Sequence, residues 1–316
     1  MNRIGSIITI GLCPCWDTVL RFDGIEWGDH KLVSSSDSWP AGKALNISHA
    51  LAWMGEKNIA AGLWGQDDFE PMLKAMRKPG GLVKVKMTAV EGSTRRNVTV
   101  VDTGNNREMH MRNRSELTSK KSLRQLEDDL TEIVKRDSVC VFAGLMPEEE
   151  FINDVVQIIK SCKKPGARIV VDTHGLALKE IIDTGSAWMI KPNVEELREL
   201  LCEEIKDSPA ALARAGRKLL DKVEFVLISR GEKGAVVVTG EGAWQGKCVG
   251  SSRVLSTVGC GDFLLAGFLK GLKDKPDAAS VLRTAMKVAT ARAWGLVEEK
   301  SWSQIMREIN AEVKRV

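Results

Sequence analysis

The segment Ser256-Thr-Val-Gly-Cys-Gly-Asp262 combines residue types that could hold an anion and accept a proton. Two glycines can aim backbone N–H groups at one point, and the apolar run 263–269 predicts a helix whose N-terminus faces that point. Asp262 stands at the edge of this cradle, where it could take a proton from a hydroxyl group. A cradle beside a base is the minimum equipment for phosphoryl transfer. The alternative is that Asp262 only caps the helix.

A second segment, 40–55, places a lysine and an asparagine at the start of a predicted helix. Gly42 precedes the helical pattern, and Lys43 and Asn46 lie three residues apart, so they face the same way. An ammonium group and a carboxamide in that position suit a polyol that bears a phosphate. A solvated lysine and a cap-region asparagine are the alternative.

Two shorter segments could complete a sugar site. Asp17, just after the first predicted strand, could accept hydrogen bonds from two sugar hydroxyls or simply occupy a turn. Arg95 and Arg96 are adjacent, and a guanidinium group can bind a phosphate through two N–H groups. Neighbouring residues of a strand point to opposite faces, so we expect only one of these arginines to face a site.

Two later segments follow predicted strands and could serve a nucleotide. Asn193 begins a predicted helix and Glu196 follows three residues on, a spacing that suits a hydrated Mg²⁺ with nucleotide phosphates. The same spacing is that of a capping box, which is the alternative. The segment 228–234 is a strand end with two glycines, so it is either a turn or a place where backbone approaches the nucleotide.

These segments lie between short β-rich runs that alternate with patterns of helical period. Such alternation predicts an α/β fold with a mostly parallel sheet and helices on both faces, and ligands then gather at the carboxyl ends of the strands. The predicted strands are 6–12, 60–64, 139–144, 168–172, 188–191 and 225–229, and the predicted helices are 121–135, 149–161, 194–201 and 209–222.

Two regions break the alternation. Residues of about 16–40 have little helical period, and residues of about 83–112 contain three consecutive strand patterns, 83–90, 97–102 and 108–112. Together they predict a small β-sheet outside the main layers, which could act as a lid that excludes water from a kinase site. A hairpin without such a role is the alternative.

Composition narrows the possible partners. The net charge of +4 is spread along the chain without a basic tail, which argues against nucleic acid and suits a small anionic substrate. The first ten residues are too short and strand-like for a signal peptide, and no apolar run could span a membrane. The seven cysteines are scattered, so we expect reduced thiols in the cytoplasm and no zinc site.

Taken in the order in which they occur along the chain, the segments resemble the PfkB carbohydrate kinase family, which has a ribokinase-like fold. The family signature Asp-Thr-x-Gly-Ala-Gly-Asp stands here as 256–262, Gly-Gly-Lys-Gly-x-Asn stands as 41–46, and Lys-Pro-Asn-x-x-Glu is complete at 191–196. Within the family, Cys13-Pro-x-x-Asp17 and Arg95-x-Asn97-Val98 are most similar to the 1-phosphofructokinase and tagatose-6-phosphate kinase branch.

The resemblance implies one kinase domain over 1–316, a three-layer α/β/α fold whose β lid is built from inserts at about 13–41 and 84–113. It implies ATP and Mg²⁺, transfer of a phosphoryl group to a hydroxyl of a sugar phosphate, and a homodimer formed through the lid. A kinase of an unphosphorylated sugar or nucleoside is the alternative, and a non-catalytic sugar or nucleotide sensor is a third reading.

The resemblance also implies residue roles. Asp262 would be the general base, with the amides of Gly259, Cys260 and Gly261 as the anion hole. Nucleotide and Mg²⁺ would be served by Asn193, Glu196 (through water), Ser229, Gly231, Gly234 and Thr257, and the sugar phosphate by Asp17, Gly42, Lys43, Asn46 and Arg95. Cys13, Ala41 and Ala44 depart from the family's asparagine and glycines, which leaves the identity of the sugar open.

Overall fold

The structure is a computed structural model that describes residues 4–77, 81–250, 254–274 and 277–316. Strands and helices alternate along most of the chain. The strands are β1 (Ile7–Gly11), β2 (Cys15–Phe22), β3 (Ser35–Ala41), β4 (Asn58–Gly65), β5 (Val83–Val90), β6 (Arg96–Asp102), β7 (Arg107–Met111), β8 (Val139–Ala143), β9 (Arg168–Asp172), β10 (Met189–Ile190), β11 (Phe225–Ser229), β12 (Ala235–Thr239), β13 (Gly242–Val249) and β14 (Asn310–Arg315). The α-helices are α1 (Lys43–Trp53), α2 (Phe69–Met76), α3 (Lys120–Ile133), α4 (Ile152–Lys163), α5 (Gly175–Asp183), α6 (Val194–Leu201), α7 (Pro209–Arg217), α8 (Cys260–Asp274), α9 (Ala278–Ala293) and α10 (Trp302–Glu308).

Ten strands form one large sheet in the order β14-β13-β12-β11-β10-β9-β8-β1-β4-β5. Parallel pairing joins the neighbours β11, β10, β9, β8, β1, β4 and β5. On the other side of β11, the strands β12, β13 and β14 continue the sheet in antiparallel pairs. The carboxyl ends of the parallel strands therefore share one edge, which is where an open α/β sheet places its ligands.

Helices cover both faces of the large sheet. In β1, Ile8 and Ile10 pack in the core cluster that includes residues of α3 to α7, whereas Ile7 packs in the cluster of α1, α8 and α9. Because the strand is buried on both faces, its sequence is a nearly continuous apolar run instead of an alternating one. This is the three-layer α/β/α arrangement that the sequence predicted.

A second, four-stranded sheet has the order β3-β2-β6-β7 and forms the small lid sheet. Its central pair, β2 and β6, is parallel although the two strands come from separate inserts. The expectation that Val83–Val90 belongs to this sheet was wrong, because that strand pairs with β4 at the edge of the large sheet. The strand pattern was right, but a pattern of period two does not say which sheet a strand joins.

Several predicted elements have the expected bounds, and others differ at their ends. The strands 168–172 and 225–229 and the helix 194–201 are found as predicted, whereas the strand 188–191 is reduced to two paired residues. Helix α4 starts three residues late because a short 3₁₀ turn, Glu149–Phe151, precedes it. Among the described residues, no helix is both long and apolar enough to cross a bilayer.

Gly62 shows how closely the strands that carry the site approach each other. It has φ +127°, and a Cβ atom there would lie 2.0 Å from the carbonyl oxygen of Gly11 in β1. We predict that Gly62→Ala lowers the free energy of unfolding by about 2–5 kcal/mol, because strain and overpacking add. Urea unfolding would measure this loss, with Gly240→Ala as control since nothing lies within 4 Å of that position. Equal stability of the two variants would contradict the prediction.

Candidate active site

The glycine-rich loop 256–262 leads directly into α8 at the shared edge of the large sheet. Gly259 has φ +79°, a conformation that favours glycine, and it precedes the first residue of the helix. Asp262 lies in the first turn and is only 5% exposed. The first N–H groups of a helix lack partners within it, so the loop and helix start together form a cradle for an anion beside a buried carboxyl group.

Asn46 connects α1 to this carboxyl group. Its Nδ2 donates a hydrogen bond of 2.8 Å to Oδ2 of Asp262, across 216 positions of sequence. Helices α1 and α8 pack side by side in one core cluster, which fixes the two side chains relative to each other. The amide therefore orients the carboxyl group and leaves Oδ1 for another partner.

A second carboxylate, Asp172 at the end of β9, organises the lysines. It is fully buried, with Lys43 Nζ 2.9 Å from Oδ1 and Lys191 Nζ 3.2 Å from Oδ2. Only the Lys43 contact has hydrogen-bond geometry, so the contact with Lys191 is an ion pair without one. The sequence analysis gave no role to Asp172, and none to Lys191 beyond its place in the signature at 191–196. Each stands at the end of a predicted strand, a position that could have marked both.

The charges of this cluster set the protonation of Asp262. Burial raises the pKa of its carboxyl group to about 7, and the negative charge of Asp172 adds to that rise. The hydrogen bond from Asn46 and the charges of Lys43 and Lys191 act in the opposite direction and limit it. Asp262 is therefore a carboxyl group that can gain and lose a proton near neutral pH, as a general base must.

Asn193 and Glu196 form the capping box that the sequence left as an alternative. Asn193 Oδ1 accepts from the Glu196 N–H at 2.8 Å, and Glu196 Oε2 accepts from the Asn193 N–H at 2.7 Å. Oε1 of Glu196 is not used by the box. No group of three metal-binding side chains occurs in the described part of the chain. This donor set fits an Mg²⁺ ion held mainly by water and phosphate, and does not fit one caged by protein.

Asp17 lies in β2, an inner strand of the lid sheet. Its Oδ1 accepts a hydrogen bond of 2.9 Å from Asn97 Nδ2 on the neighbouring strand β6 and one of 3.3 Å from the Cys15 thiol. Burial raises the pKa of the Cys15 thiol to about 12, and the charge of Asp17 adds to this rise. Cys15 therefore stays protonated and serves as a hydrogen-bond donor to the carboxylate.

Arg95 is held firmly by the protein around it. Four of its five N–H groups are used: Nε and one on Nη2 by the Cys13 and Pro14 carbonyls, and two on Nη1 by Asn97 and the Asn113 carbonyl. The adjacent Arg96 instead packs over the Trp16 ring at 5.5 Å. One of the two arginines thus faces the site, although most of its donors are occupied.

A cavity of about 1000 Å³ brings most of the candidate residues together between the large sheet and the lid. Gly231 and Gly234 do not line it. They shape a turn in which a Cβ at Gly234 would lie 2.0 Å from the Gly246 carbonyl oxygen. Cys260 is likewise not among the lining residues. The candidate residues that do line the cavity are Asp17, Gly42, Lys43, Asn46, Arg95, Asn193, Glu196, Ser229, Thr257, Gly259, Gly261 and Asp262.

A fold of this kind with a buried carboxyl group at a glycine-rich helix start is that of a sugar kinase. The model of the pfkB family of carbohydrate kinases matches residues 6–294, so the chain belongs to that family. It is 26% identical to 1-phosphofructokinase of Haemophilus influenzae over 293 residues, covering 90% of each chain. It is 24% identical to tagatose-6-phosphate kinase of Staphylococcus epidermidis over 315 residues, covering 96% of this chain and 98% of the relative.

The fold is shared with a solved structure of phosphofructokinase-2 from Escherichia coli in complex with fructose-6-phosphate. The TM-score is 0.85 at 22% identity, over 96% of this chain and 99% of that chain. The ribokinase-like fold and the kinase family expected from the motifs are thus confirmed. The names of the two curated relatives are those of the branch that 13–17 and 95–98 indicated.

The raised pKa of Asp262 has a consequence for stability. Its folded-state pKa of about 7 exceeds the ordinary value of 3.8, so the group favours folding below about pH 4 and loses that contribution as pH rises to 7. We predict that Asp262→Asn removes this dependence. Between pH 5 and pH 8, the unfolding free energy of the wild type should fall by about 2 kcal/mol more than that of the variant.

Urea unfolding at the two pH values measures this difference. Asp274→Asn, at the exposed end of the same helix, is the matched control and should follow the wild type. Parallel pH profiles for Asp262→Asn and the wild type would show that the carboxyl group does not titrate in this range.

Proposed function

We propose that this protein transfers the γ-phosphoryl group of ATP to a hydroxyl group of a sugar phosphate, as the names of the 1-phosphofructokinase and tagatose-6-phosphate kinase relatives suggest. The observation that carries the proposal is the buried Asp262 carboxyl group, set by Asn46 beside the glycine cradle and open to the main cavity. A base beside an anion cradle is what phosphoryl transfer needs.

The step begins with a sugar hydroxyl against the free oxygen of Asp262. The hydroxyl oxygen forms a bond to the γ-phosphorus while the bond from that phosphorus to the bridging oxygen breaks, and ADP leaves. The hydroxyl proton passes to Asp262, whose pKa of about 7 allows it to accept one near neutral pH. The transition state is loose, so orientation and charge neutralisation supply most of the rate.

The amides of Gly259, Cys260 and Gly261 are proposed to bind the transferring group. Cys260 can serve through its backbone N–H although its side chain does not line the cavity. Asn193 and Glu196 would hold Mg²⁺ through water, and that ion supplies neutralisation of phosphate charge. Ser229 and Thr257 line the cavity and are proposed to contact the nucleotide. Gly231 and Gly234 would act only by shaping the turn that follows Ser229.

The sugar is proposed to lie between Asp17, Gly42, Lys43 and Asn46, with its phosphate toward Arg95. Arg112 and Arg114 also line the cavity, on either side of the Asn113 carbonyl that Arg95 contacts. Neither makes an ion pair or side-chain hydrogen bond within the described part of the chain, so both can add to the single free N–H group of Arg95.

The engagement of Arg95 by protein carbonyls favours a second candidate, a kinase of an unphosphorylated sugar or nucleoside. In that case Arg95 would have a structural role and tie the turn 13–14 to Asn113. The two candidates share Asp262 and the cradle, and differ in whether the lid side of the cavity recognises a phosphate.

We also propose a homodimer formed through the lid and a cytoplasmic location. Trp39, Met109 and Met111 of the lid sheet are 40–47% exposed, an apolar surface that a second copy could cover. A tetrameric inhibited form is known for phosphofructokinase-2 from Escherichia coli. All seven cysteines are free thiols, as expected in a reducing compartment.

The base assignment predicts that Asp262→Asn lowers kcat by about 10²–10⁴-fold, because the amide cannot accept the proton. Binding of ATP should be almost unchanged. ADP release over a panel of ketohexoses and their phosphates measures turnover, and calorimetry measures nucleotide affinity. Asp274→Asn, on the same helix, should retain wild-type turnover. Full turnover in Asp262→Asn would exclude it as the base.

The substrate proposal predicts that Arg95→Gln raises KM for a ketohexose phosphate at least tenfold. The KM of the unphosphorylated ketohexose should change little, because only the phosphate contact is lost. Arg124→Gln, an exposed arginine of α3 outside the cavity, is the control. An equal rise in KM for both sugars would indicate a structural role for Arg95. An unchanged KM for both would favour the unphosphorylated substrate.

A further inference from the structure

Arg292 lies at the C-terminal end of α9, and three contacts fix its guanidinium group. Nε donates to the Val258 carbonyl at 3.3 Å, and Nη1 forms an ion pair of 3.0 Å with Glu298. The group also lies over the Phe263 ring, 5.6 Å from its centroid. Val258 and Phe263 flank the loop and first turn that carry Asp262. The arginine is therefore held against the loop that forms the cradle.

Two glycines of the cradle each lie close to a cation. A Cβ atom at Gly259 would be 3.7 Å from Arg292 Nε, and one at Gly261 would be 3.5 Å from Lys191 Nζ. Arg292 also lines the main cavity, and its side chain is 29% exposed. An anion bound by the amides of 259–261 would thus lie near both a guanidinium group and an ammonium group.

We propose that Arg292 is a further catalytic residue, which contacts the phosphates of the nucleotide at the cradle and stabilises the charge that develops during transfer. The inference rests on the proposed kinase function and adds a residue that the sequence motifs do not include. The two N–H groups of Nη2 are used by neither the Val258 contact nor the Glu298 ion pair. They are available to phosphate oxygens, and such a charge-assisted contact is stronger than a neutral one.

The surroundings of Arg292 leave its positive charge available for this role. The ion pair with Glu298 is open to water, since the glutamate side chain is 64% exposed, so it neutralises the guanidinium group only weakly. Stacking on Phe263 holds the plane of the guanidinium group without using its N–H groups. The result is a fixed cation at the place where phosphoryl transfer accumulates negative charge, as electrostatic catalysis requires.

The alternative is a purely structural role for Arg292, in which it only ties the loop to α9 through Val258. A purely structural role predicts that replacing Arg292 lowers the stability of the protein and weakens the binding of every ligand equally. A phosphate contact predicts a loss that depends on the number of phosphates.

The experiment compares Arg292→Met and Arg292→Lys with Arg283→Met, an exposed arginine of the same helix that does not line the cavity. Affinities for ADP and adenosine come from calorimetry, kcat from ADP release, and stability from urea unfolding. We expect Arg292→Met to lose tenfold or more in ADP affinity and 10–100-fold in kcat, with adenosine affinity unchanged. Arg292→Lys should recover part of both.

Two outcomes would overturn the inference. The first is that Arg292→Met matches Arg283→Met in ADP affinity and kcat, and the second is that ADP and adenosine affinities fall together. The ADP measurement does not depend on the sugar. If the wild type releases no ADP with any sugar tested, the proposed function fails, while a selective loss of ADP affinity still supports the phosphate contact.

Discussion

The hydrogen bond between Asn46 and the buried carboxyl group of Asp262 is the contact on which the rest of the site depends. It exists only because α1 and α8 pack against each other on one face of the large sheet. Removing a carboxyl group from water disfavours its charged form, and one amide donor together with nearby lysines offsets part of that cost. The core thus sets the protonation of this carboxyl group as much as its position.

Around that contact, the ends of several strands and helices are joined by charge. Asp172 lies between Lys43 of α1 and Lys191 after β10, so one carboxylate connects the start of α1 to the segment that leads into α6. Buried ion pairs add little to stability once desolvation is counted. Their presence at this edge is better explained by the need to fix two cations where phosphate groups are expected.

The sequence predicted local features of this molecule better than its long-range ones. The strand 168–172 and the helix 194–201 could be predicted because apolar period and a capping asparagine are local signals. The pairing of Lys43 with Asp172 spans 129 positions and has no local signature. For the same reason, Val83–Val90 was recognised as a strand but assigned to the wrong sheet. Likewise, nothing near Arg95 in the sequence reveals that the carbonyl groups of Cys13 and Pro14 accept hydrogen bonds from its guanidinium group.

The lid sheet places a constraint on the order in which the molecule can assemble. Its central strands pair in parallel, with Asp17 and Asn97 in contact across 80 positions, and most of the chain between them belongs to the body. Closing a loop of that length costs conformational entropy, which is recovered only once β1, α1 and β4 are in place. We therefore expect the lid sheet to form late in folding, on an edge of the large sheet that the body has already built.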